Sequence, residues 1–312
     1  MTVDCLSSIN IDELKKYFKL TTNCPLCMGK ENGQLFVVNQ LCIIECMICH
    51  FRYMNPSLSE KGMSILYENS EILSKVNPAL ERYYEYADIR NSRTLKDYQM
   101  VLNFAQKHLK SNRKPKLFEV GYGTGGFLLE AIRSGWSIDG IETSKQNSDY
   151  LRKQYGLEVQ CGTFDDFEPV VSDYQMVALW DVVEHTIDPH SFVRKAYRML
   201  APGGLLVLAT PNISGLLNTV SESVYRSSGG VIKWLIKQLY VIEHVGYYTP
   251  NTLNRLILNE GFERKKIFFT ETDLKRYKFS LTLHACLVVF FLIAKCLNRQ
   301  NRMIYVAQKK SL

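Results

Sequence analysis

The sequence lacks a basic cluster followed by an apolar run between Met1 and Phe18, so we expect no secretion signal. It also lacks internal repeats and low-complexity tracts, which favours an ordinary globular chain. Its nine cysteines include four at zinc-ligand spacing, and reduced thiols of that kind are typical of a reducing compartment. We therefore expect a cytoplasmic protein.

Long apolar runs are also missing. The longest apolar segment, residues 279–294, falls short of the roughly 20 residues that cross a bilayer. We predict a buried or dimer-forming helix there, and monomer and homodimer both stay open. Residues 231–242 are amphipathic and carry Trp234 between lysines, which suits a membrane surface. Together the two segments leave open a peripheral contact with the inner face of the membrane.

A concentrated basic arm is absent as well. The chain has 38 Lys and Arg against 31 Asp and Glu, a net charge of +7, but the lysines are scattered among acids. Nucleic acid is therefore an unfavoured partner. With 312 residues, 46% of them hydrophobic, the chain suits one main domain and a small appendage.

The appendage is indicated by two Cys-x-x-Cys pairs. Cys24 and Cys27 are separated from Cys46 and Cys49 by eighteen residues, the spacing of a four-thiolate zinc ribbon. About forty residues cannot bury a sufficient core alone, and a metal supplies the missing cohesion. Four thiolates leave no open position for water, so we expect a structural zinc ion.

A glycine-rich turn follows a short apolar strand within residues 118–127. Gly121, Gly123 and Gly125 stand at alternate positions, where glycine permits positive φ and lets the main chain approach a nucleotide. Alone, this pattern also fits a dinucleotide site or a plain tight turn. No Gly-Lys-Ser/Thr follows, which excludes a triphosphate-binding P-loop.

Strands and helices alternate after this turn. Glu142 ends the second strand about twenty residues beyond the glycines, where a carboxylate can accept both hydroxyls of a ribose. The fourth strand runs into Trp180-Asp181-Val182-Val183-Glu184-His185, and open parallel sheets bind ligands at such carboxyl ends. We predict a helix at 127–134 and 250–259, and strands at 137–141, 158–162, 175–179, 205–209, 265–270 and 303–308.

These segments resemble, in order and spacing, the motifs of class I S-adenosylmethionine-dependent methyltransferases. The likeness spans roughly residues 80–310 and is greatest to the branch of ubiquinone-type O-methyltransferases and enzymes of glycan or secondary metabolism. The matching segments are Glu119-x-Gly121-x-Gly123-x-Gly125, Glu142, Gly162-Thr163-Phe164, Asp181-Val182-Val183-Glu184-His185 and Leu200-Ala201-Pro202-Gly203-Gly204.

The resemblance implies an α/β fold, a Rossmann-like sheet with helices on both faces. We divide the chain into a zinc ribbon at 1–60, a helical linker or lid at 61–112, and the methyltransferase domain at 113–312 with an insertion at 213–242. The linker carries aromatic and basic residues at helical spacing, and a lid and a plain packing helix are both open. These aromatic and basic residues are Tyr67, Tyr83, Tyr84, Tyr86, Tyr98, Arg82, Arg90 and Arg93. Tyr86 is the first residue to test for a role in a lid.

The resemblance further implies S-adenosylmethionine as cofactor. The backbone from Gly121 to Gly125 would lie against the methionine moiety, Glu119 would orient this turn, and Glu142 would hold the ribose. Thr163 and Phe164 would border the adenine, although Phe164 also fits an ordinary core aromatic. Glu119 and Tyr122 depart from the family's usual aspartate and small residue. The candidate cofactor residues are Glu119, Gly121, Tyr122, Gly123, Gly125, Glu142, Thr143, Thr163, Phe164, Trp180 and Asp181.

Methyl transfer to a hydroxyl needs alignment and a base. His185 is the first candidate, because an imidazole titrates near neutral pH, and the alternative is a histidine that only bonds backbone. Glu184 would orient His185 or hold a divalent ion, as magnesium is tied to this segment in some relatives. His244, in a segment resembling the family's His-x-x-Tyr-Phe, is a substrate contact, an alternative base or a structural residue.

We therefore expect a methyltransferase acting on a small-molecule acceptor, a hydroxyl of a sugar, glycan precursor or polyprenyl or quinol-type metabolite. The alternatives are an rRNA or tRNA methyltransferase that uses the ribbon to bind RNA, and a non-catalytic scaffold. The fourth strand does not end in the Asn/Asp-Pro-Pro-aromatic clamp usual in amino-group methyltransferases of nucleic acids, which disfavours RNA.

Overall fold

The computed structural model describes residues 12–38, 41–68, 72, 93–109, 114–169, 173–274 and 280–311. The strands of this part are β1 (Phe18–Lys19), β2 (Asn32–Val38), β3 (Leu41–Cys46), β4 (Arg52–Met54), β5 (Ser57–Leu58), β6 (Lys116–Val120), β7 (Ser137–Glu142), β8 (Gln160–Cys161), β9 (Tyr174–Trp180), β10 (Leu200–Pro211), β11 (Gly246–Tyr247), β12 (Phe262–Thr270) and β13 (Arg302–Lys309).

The helices alternate with the strands of the larger sheet. They are α1 (Asp12–Lys15), α2 (Glu60–Glu68), α3 (Arg93–His108), α4 (Gly126–Arg133), α5 (Lys145–Tyr155), α6 (Pro189–Met199), α7 (Leu216–Ser227), α8 (Trp234–Lys237), α9 (Pro250–Asn259) and α10 (Leu281–Cys296), and a 3-10 turn is formed by Val183–His185.

The larger sheet has the strand order β12-β13-β10-β9-β6-β7-β8 within the described residues. β13 runs antiparallel to both of its neighbours, whereas β10, β9, β6, β7 and β8 are parallel. The central strands are buried along their length, as from Leu205 to Thr210, because helices cover both faces. This confirms the α/β fold class, with the carboxyl ends of the parallel strands at one edge.

Most predicted elements are confirmed with shifted ends. The helix at Pro250–Asn259 has the predicted bounds, because Thr249 and Thr252 form a capping box and Gly261 follows at φ +85°. The predicted strand at 158–162 shrinks to β8, a two-residue edge strand. Its pairing with β7 is limited to Ile141–Gln160 and Glu142–Cys161, so Glu158 lies outside the ladder.

A smaller sheet joins the amino-terminal region to the second half of the chain. Its order is β11-β4-β3-β2, and β11 pairs antiparallel with β4 through Gly246–Tyr53 and Tyr247–Arg52. Met54 N–H also donates to the carbonyl of Val245 at 2.9 Å. The cysteine-bearing region therefore shares a sheet with the segment that returns from the insertion.

The apolar stretch near the carboxyl terminus forms the predicted helix, α10, but the predicted burial is wrong for this chain alone. Only Phe291 and Ala294 of α10 are buried, and Leu281 is 91% exposed. No helix in the described part of the chain combines the length and apolarity that crossing a bilayer requires.

Two further predicted segments are only partly described. In residues 231–242 only α8 is helical, with Trp234 exposed and Ile236 buried. Of the predicted lid, Tyr83, Tyr84, Tyr86, Arg82 and Arg90 lie outside the described residues, as does the side chain of Arg93.

A buried lysine fixes the loop after β8. Lys195 of α6 is 6% exposed, and its Nζ donates to the carbonyls of Phe164 at 2.8 Å, Asp165 at 2.6 Å and Phe167 at 2.9 Å. One ammonium group therefore satisfies three carbonyls and ties the loop to α6.

We predict that Lys195→Met lowers the free energy of unfolding by about 2–3 kcal/mol, because hydrogen bonds to a charged group are lost and buried carbonyls stay unsatisfied. Urea denaturation measures the change. Lys153→Met, on the exposed face of α5, is the matched control with little expected effect. Equal midpoints for both variants would contradict the role of Lys195.

Candidate functional site

The glycine-rich turn between β6 and α4 is built from left-handed backbone. φ is +67° at Gly121, +53° at Gly123 and +76° at Gly125, a region that L side chains adopt at a cost. A Cβ on Gly121 would lie 2.8 Å from Val182, and one on Gly125 would lie 2.5 Å from Leu151. Glycine is therefore required at both outer positions.

Gly123 faces open space beside an acidic side chain. A Cβ built there would meet no heavy atom of the described chain within 4 Å. Its N–H donates to Glu142 Oε2 at 2.8 Å, while Oε1 accepts from Ser144 N–H at 2.9 Å and the Thr143 hydroxyl at 3.1 Å. A carboxylate can accept about four hydrogen bonds. The turn and Glu142 thus form a cradle with acceptor capacity left for a ligand.

Glu119 lies beneath this cradle. It is 2% exposed, and its Oε2 has no hydrogen-bond partner within the described ranges. Burial, and then the negative charge of Glu142, raise the pKa of Glu119 well above its usual range, against a smaller opposing effect of the Leu128 N–H. The carboxyl group therefore favours its protonated form in the folded protein.

The ring of Tyr122 turns into the protein. Its hydroxyl lies 2.9 Å from Ser148 Oγ and 3.1 Å from the carbonyl of Gln160. The ring fits because Gly140 has no side chain, since a Cβ there would lie 2.9 Å from it. The residue that departs from the family pattern thus ties the glycine turn to α5 and β8.

The two residues predicted to border adenine occupy different settings. Thr163 is half-buried, and its hydroxyl donates to Asp166 Oδ2 at 2.6 Å. The ring of Phe164 is 4% exposed and packs on Phe192, with the centroids 4.8 Å apart. The ring therefore belongs to the core, and contact of this segment with adenine stays a prediction that rests on its backbone.

The end of β9 carries an aromatic and an ion pair. Trp180 packs on Tyr98 and Phe127 at centroid distances of 4.7 and 5.1 Å. Its buried Nε1 finds no acceptor among the residues that are described. Asp181, at φ +55°, accepts from Arg302 Nη2 at 2.7 Å. A small cavity lined by Trp180, this ion pair and Asp97 opens beside it.

Glu184, His185 and His244 come together immediately beyond β9. One ligand-type atom of each lies within 4.8 Å of the others, and the two imidazole centroids are 4.9 Å apart. Burial, and then the charge of Asp181, raise the pKa of Glu184 to about 8. Burial lowers the pKa of both histidines, most strongly that of His244, on which His185 and Arg302 also act. At neutral pH both imidazoles are therefore neutral.

The tautomer of His185 follows from its neighbours. Its Nδ1 lies 2.7 Å from the carbonyl of Glu243 and 3.1 Å from the Tyr67 hydroxyl. Because a carbonyl only accepts, Nδ1 must carry the proton. Nε2 of His185 is then left with a lone pair, which is the form that accepts a proton.

The small sheet positions this arrangement. Val245 N–H donates to the carbonyl of Glu184 at 2.8 Å, and β11, which begins at Gly246, pairs with β4. The carbonyl of Glu243 thus reaches His185 from a segment held on both sides.

A magnesium site does not fit these donors. Magnesium prefers oxygen ligands, whereas His185 and His244 offer nitrogen beside a single carboxylate, Glu184. Such a set suits zinc or iron better. General acid-base catalysis, by contrast, is compatible with His185 and His244 in their neutral forms.

The four predicted zinc ligands do converge. Sγ atoms are 3.6 Å apart between Cys24 and Cys49, and 3.5 Å apart between Cys27 and Cys46. A tetrahedral ion with Zn–S bonds of about 2.3 Å needs sulfurs roughly 3.8 Å apart. The donor set and its spacing thus fit a four-thiolate zinc ion.

Three residues of the site escaped prediction from sequence. Tyr67 was only one of several lid aromatics, and Glu243 contributes a main-chain carbonyl that no side-chain pattern reveals. Arg302 opens β13 and meets Asp181 only because the two strand ends share an edge of the sheet. In sequence, a charged residue at the first position of an apolar strand is the one available signal for Arg302.

Comparison with known proteins agrees with this geometry. Residues 89–265 match the sequence family described as a methyltransferase domain. The chain is similar to the ubiquinone biosynthesis O-methyltransferase of Psychrobacter arcticus, at 27% identity over 169 residues. That match covers 49% of this chain and 60% of the relative's length.

Two solved structures share the fold. Phosphoethanolamine N-methyltransferase 2 of Haemonchus contortus, in complex with S-adenosyl-L-methionine, has a TM-score of 0.53 and 14% identity, covering 83% of this chain and 62% of that one. An S-adenosylmethionine-dependent methyltransferase of Thermotoga maritima, named a possible histamine N-methyltransferase, has a TM-score of 0.51 and 17% identity, covering 80% and 100%.

We predict that Glu119→Gln raises the melting temperature of the ligand-free protein, increasingly so from pH 5 to pH 9. The folded state holds the Glu119 proton to higher pH than the unfolded state, so stability falls as pH rises through that window, and glutamine removes this fall. Each kcal/mol is worth about 2–4 °C. Calorimetry across pH measures it.

Glu158→Gln, at an exposed glutamate, is the control and should follow the wild-type curve. Glu184, whose pKa is also raised, lowers stability with rising pH in every variant. The difference between the melting-temperature curves of Glu119→Gln and wild type therefore reports the contribution of Glu119 alone. A pH-independent difference between Glu119→Gln and wild type would show that burial does not hold a proton on Glu119.

Proposed function

Because the chain belongs to the class I S-adenosylmethionine-dependent methyltransferases, we propose that it transfers a methyl group from S-adenosylmethionine to a hydroxyl of a small-molecule acceptor. The observation that carries this proposal is the His185 imidazole, whose Nδ1–H is fixed on the Glu243 carbonyl at 2.7 Å, so that Nε2 is the unprotonated nitrogen. His185 follows Val182 by three residues in the chain, and Val182 is the residue that packs against Gly121.

The cradle supports the cofactor assignment. Main-chain groups at Gly121–Gly125 and the Glu142 carboxylate would hold the methionine end and the ribose. When bound, the cofactor supplies a methyl group on a positively charged sulfur. The residues at the carboxyl ends of β6, β7 and β9 align the acceptor with that methyl group.

Proton removal supports a hydroxyl acceptor. A neutral hydroxyl must lose its proton as the new bond forms, and His185 Nε2 accepts it. Tyr67 and the Glu243 carbonyl keep the ring oriented, and His244 borders the same space.

The acceptor class is supported by the sequence motifs and by one curated relative. We place a sugar, glycan precursor or polyprenyl or quinol-type metabolite in the site, as the sequence motifs indicate. The similar relative from Psychrobacter arcticus is named for O-methylation in ubiquinone biosynthesis, which agrees with a hydroxyl acceptor.

Zinc is the second proposed ligand. Cys24, Cys27, Cys46 and Cys49 would bind one structural ion and fix the turns that precede β2 and β4. Leu26, in the first turn, accepts from His190 Nε2 at 2.8 Å, which ties the ribbon to α6. The ion would thereby stabilise the strand on which β11 and the Glu243 carbonyl depend.

We predict that Glu142→Ala mainly weakens cofactor binding, whereas His185→Asn mainly lowers the rate of methyl transfer. Glu142→Ala weakens S-adenosylmethionine binding by roughly 10–100-fold, because charge-assisted hydrogen bonds to the ribose are lost. His185→Asn keeps a donor for the Glu243 carbonyl and lacks the base, so kcat falls by roughly 100–10,000-fold with unchanged cofactor affinity. Calorimetry and radiolabelled methyl transfer to a catechol and to a hexose measure the two effects.

Glu158→Ala is the control for both assays and should change neither. Equal cofactor affinity in Glu142→Ala would overturn the cofactor site. Label transferred to total RNA and to neither hydroxyl compound would favour the RNA alternative.

We predict that the purified protein contains one zinc ion per chain and that Cys24→Ser with Cys46→Ser abolishes it. Loss of the ion should lower the melting temperature and the methyl-transfer rate more than cofactor affinity, since the ribbon positions Glu243 and lies apart from the cradle. Atomic absorption and calorimetry measure this. Cys161→Ser, at an exposed cysteine outside the cluster, is the control, and full zinc content in the double variant would refute the site.

A further inference from the structure

Helix α10 places apolar side chains on almost every side of its axis while lying at the surface. Apart from Phe291 and Ala294 it is not buried by the described chain. A helix that is apolar all round is normally covered by protein or lipid. The large apolar residues exposed on and just after it are Leu281, Leu283, Val288, Val289, Leu292, Ile293 and Leu297.

The helix is nevertheless capped at its start and anchored to the protein beyond its carboxyl end. Ser280 caps its first turn by accepting from Leu283 N–H at 3.3 Å. Beyond its last turn, the carbonyl of Arg299 accepts from Leu216 N–H at 2.7 Å, and Arg299 Nη2 donates to Thr219 Oγ1 at 2.6 Å. A fixed element thus displays the apolar surface.

The charge along this part of the sequence has one sign. From Leu274 to Leu312 the sequence has eight Lys and Arg and no Asp or Glu. The nearest preceding acids, Glu271 and Asp273, are buried at 3% and 8% exposure. Apolar side chains flanked only by cations match the acyl boundary and the anionic headgroups of a bilayer.

A second copy of the chain fits this surface less well. Two copies of α10 packed on each other would bring the exposed Lys295 of each helix to the same interface, and residues 281–296 contain no acidic residue to pair with it. Such like charges repel across an interface. The bilayer is therefore the favoured occupant.

We propose that α10 lies in the plane of an anionic bilayer, with Phe291 and Ala294 packed on the protein and the exposed apolar residues immersed among lipids. Sixteen residues at about 1.5 Å each reach less than the roughly 30 Å of hydrocarbon, so the helix rests on the bilayer and does not cross it. This surface lies outside the proposed methyl-transfer site and does not rest on it.

Vesicle flotation with the full chain tests the proposal. The probes are vesicles of phosphatidylcholine alone and of phosphatidylcholine with about one third phosphatidylglycerol. Wild type should float with the anionic vesicles, less at high salt. Val289→Glu with Leu292→Glu should reduce the bound fraction at least tenfold, and Lys295→Gln should weaken partitioning about fivefold, as expected for one lysine at an anionic surface.

Leu258→Glu is the matched control, because Leu258 is an exposed apolar residue of α9, and it should bind like wild type. Melting temperature and cofactor affinity establish that each variant is folded. Absence of wild-type flotation, equal flotation with neutral vesicles, or unchanged binding of the double variant would each overturn the proposal. A wild-type dimer that the double variant dissociates, without vesicle binding, would replace the bilayer by a second copy.

Discussion

The hydrogen bond from His185 Nδ1–H to the carbonyl of Glu243 is the contact on which the rest of the site depends. It fixes the tautomer, and with it the lone pair on Nε2. The carbonyl is in place because Val245 bonds to Glu184 on one side and β11 pairs with β4 on the other. Since β4 follows the second cysteine pair, the orientation of a side chain at the end of β9 depends on the cysteine-bearing region. That region is thus part of the site's framework.

Electrostatics explain why the two ends of the site differ. At the cradle, Glu119 is fully buried and lies close to the charge of Glu142. Both effects raise the pKa of Glu119, so its carboxyl group keeps its proton, and Glu142 is left as the hydrogen-bond acceptor. Beyond β9, Arg302 neutralises Asp181 at 2.7 Å, and both histidines are neutral. A cationic ligand is therefore favoured at the cradle and a neutral acceptor beside the imidazoles, which is the charge pattern that transfer from a sulfonium requires.

The sequence predicts what local chemistry determines. The glycine turn, the acid that ends β7, the four thiols and the capped helix from Pro250 each depend on residues near one another in the chain, and their patterns can be read directly. The contacts of Tyr67 and Glu243 with His185 join residues 118 and 58 positions apart. Such contacts depend on how elements pack, and one of them uses only the main chain. The exposure of α10 was not predicted for a related reason. The composition of residues 279–294 shows that the helix is apolar, but it does not show which residues pack against the helix.

The position of α10 in the chain links its surface to the site. It is inserted between β12 and β13, and β13 begins with Arg302, six residues beyond the end of the helix. Asn301 adds a further tie, since its N–H lies 3.2 Å from Glu271 Oε2 and its side chain accepts from Thr272 N–H. A bilayer that holds α10 would therefore also restrain the strand end that carries Arg302, and with it the Asp181 ion pair. That ion pair borders the cavity beside Trp180. Membrane attachment of α10 would therefore be coupled to the position of the Asp181–Arg302 pair through the short segment that joins α10 to β13.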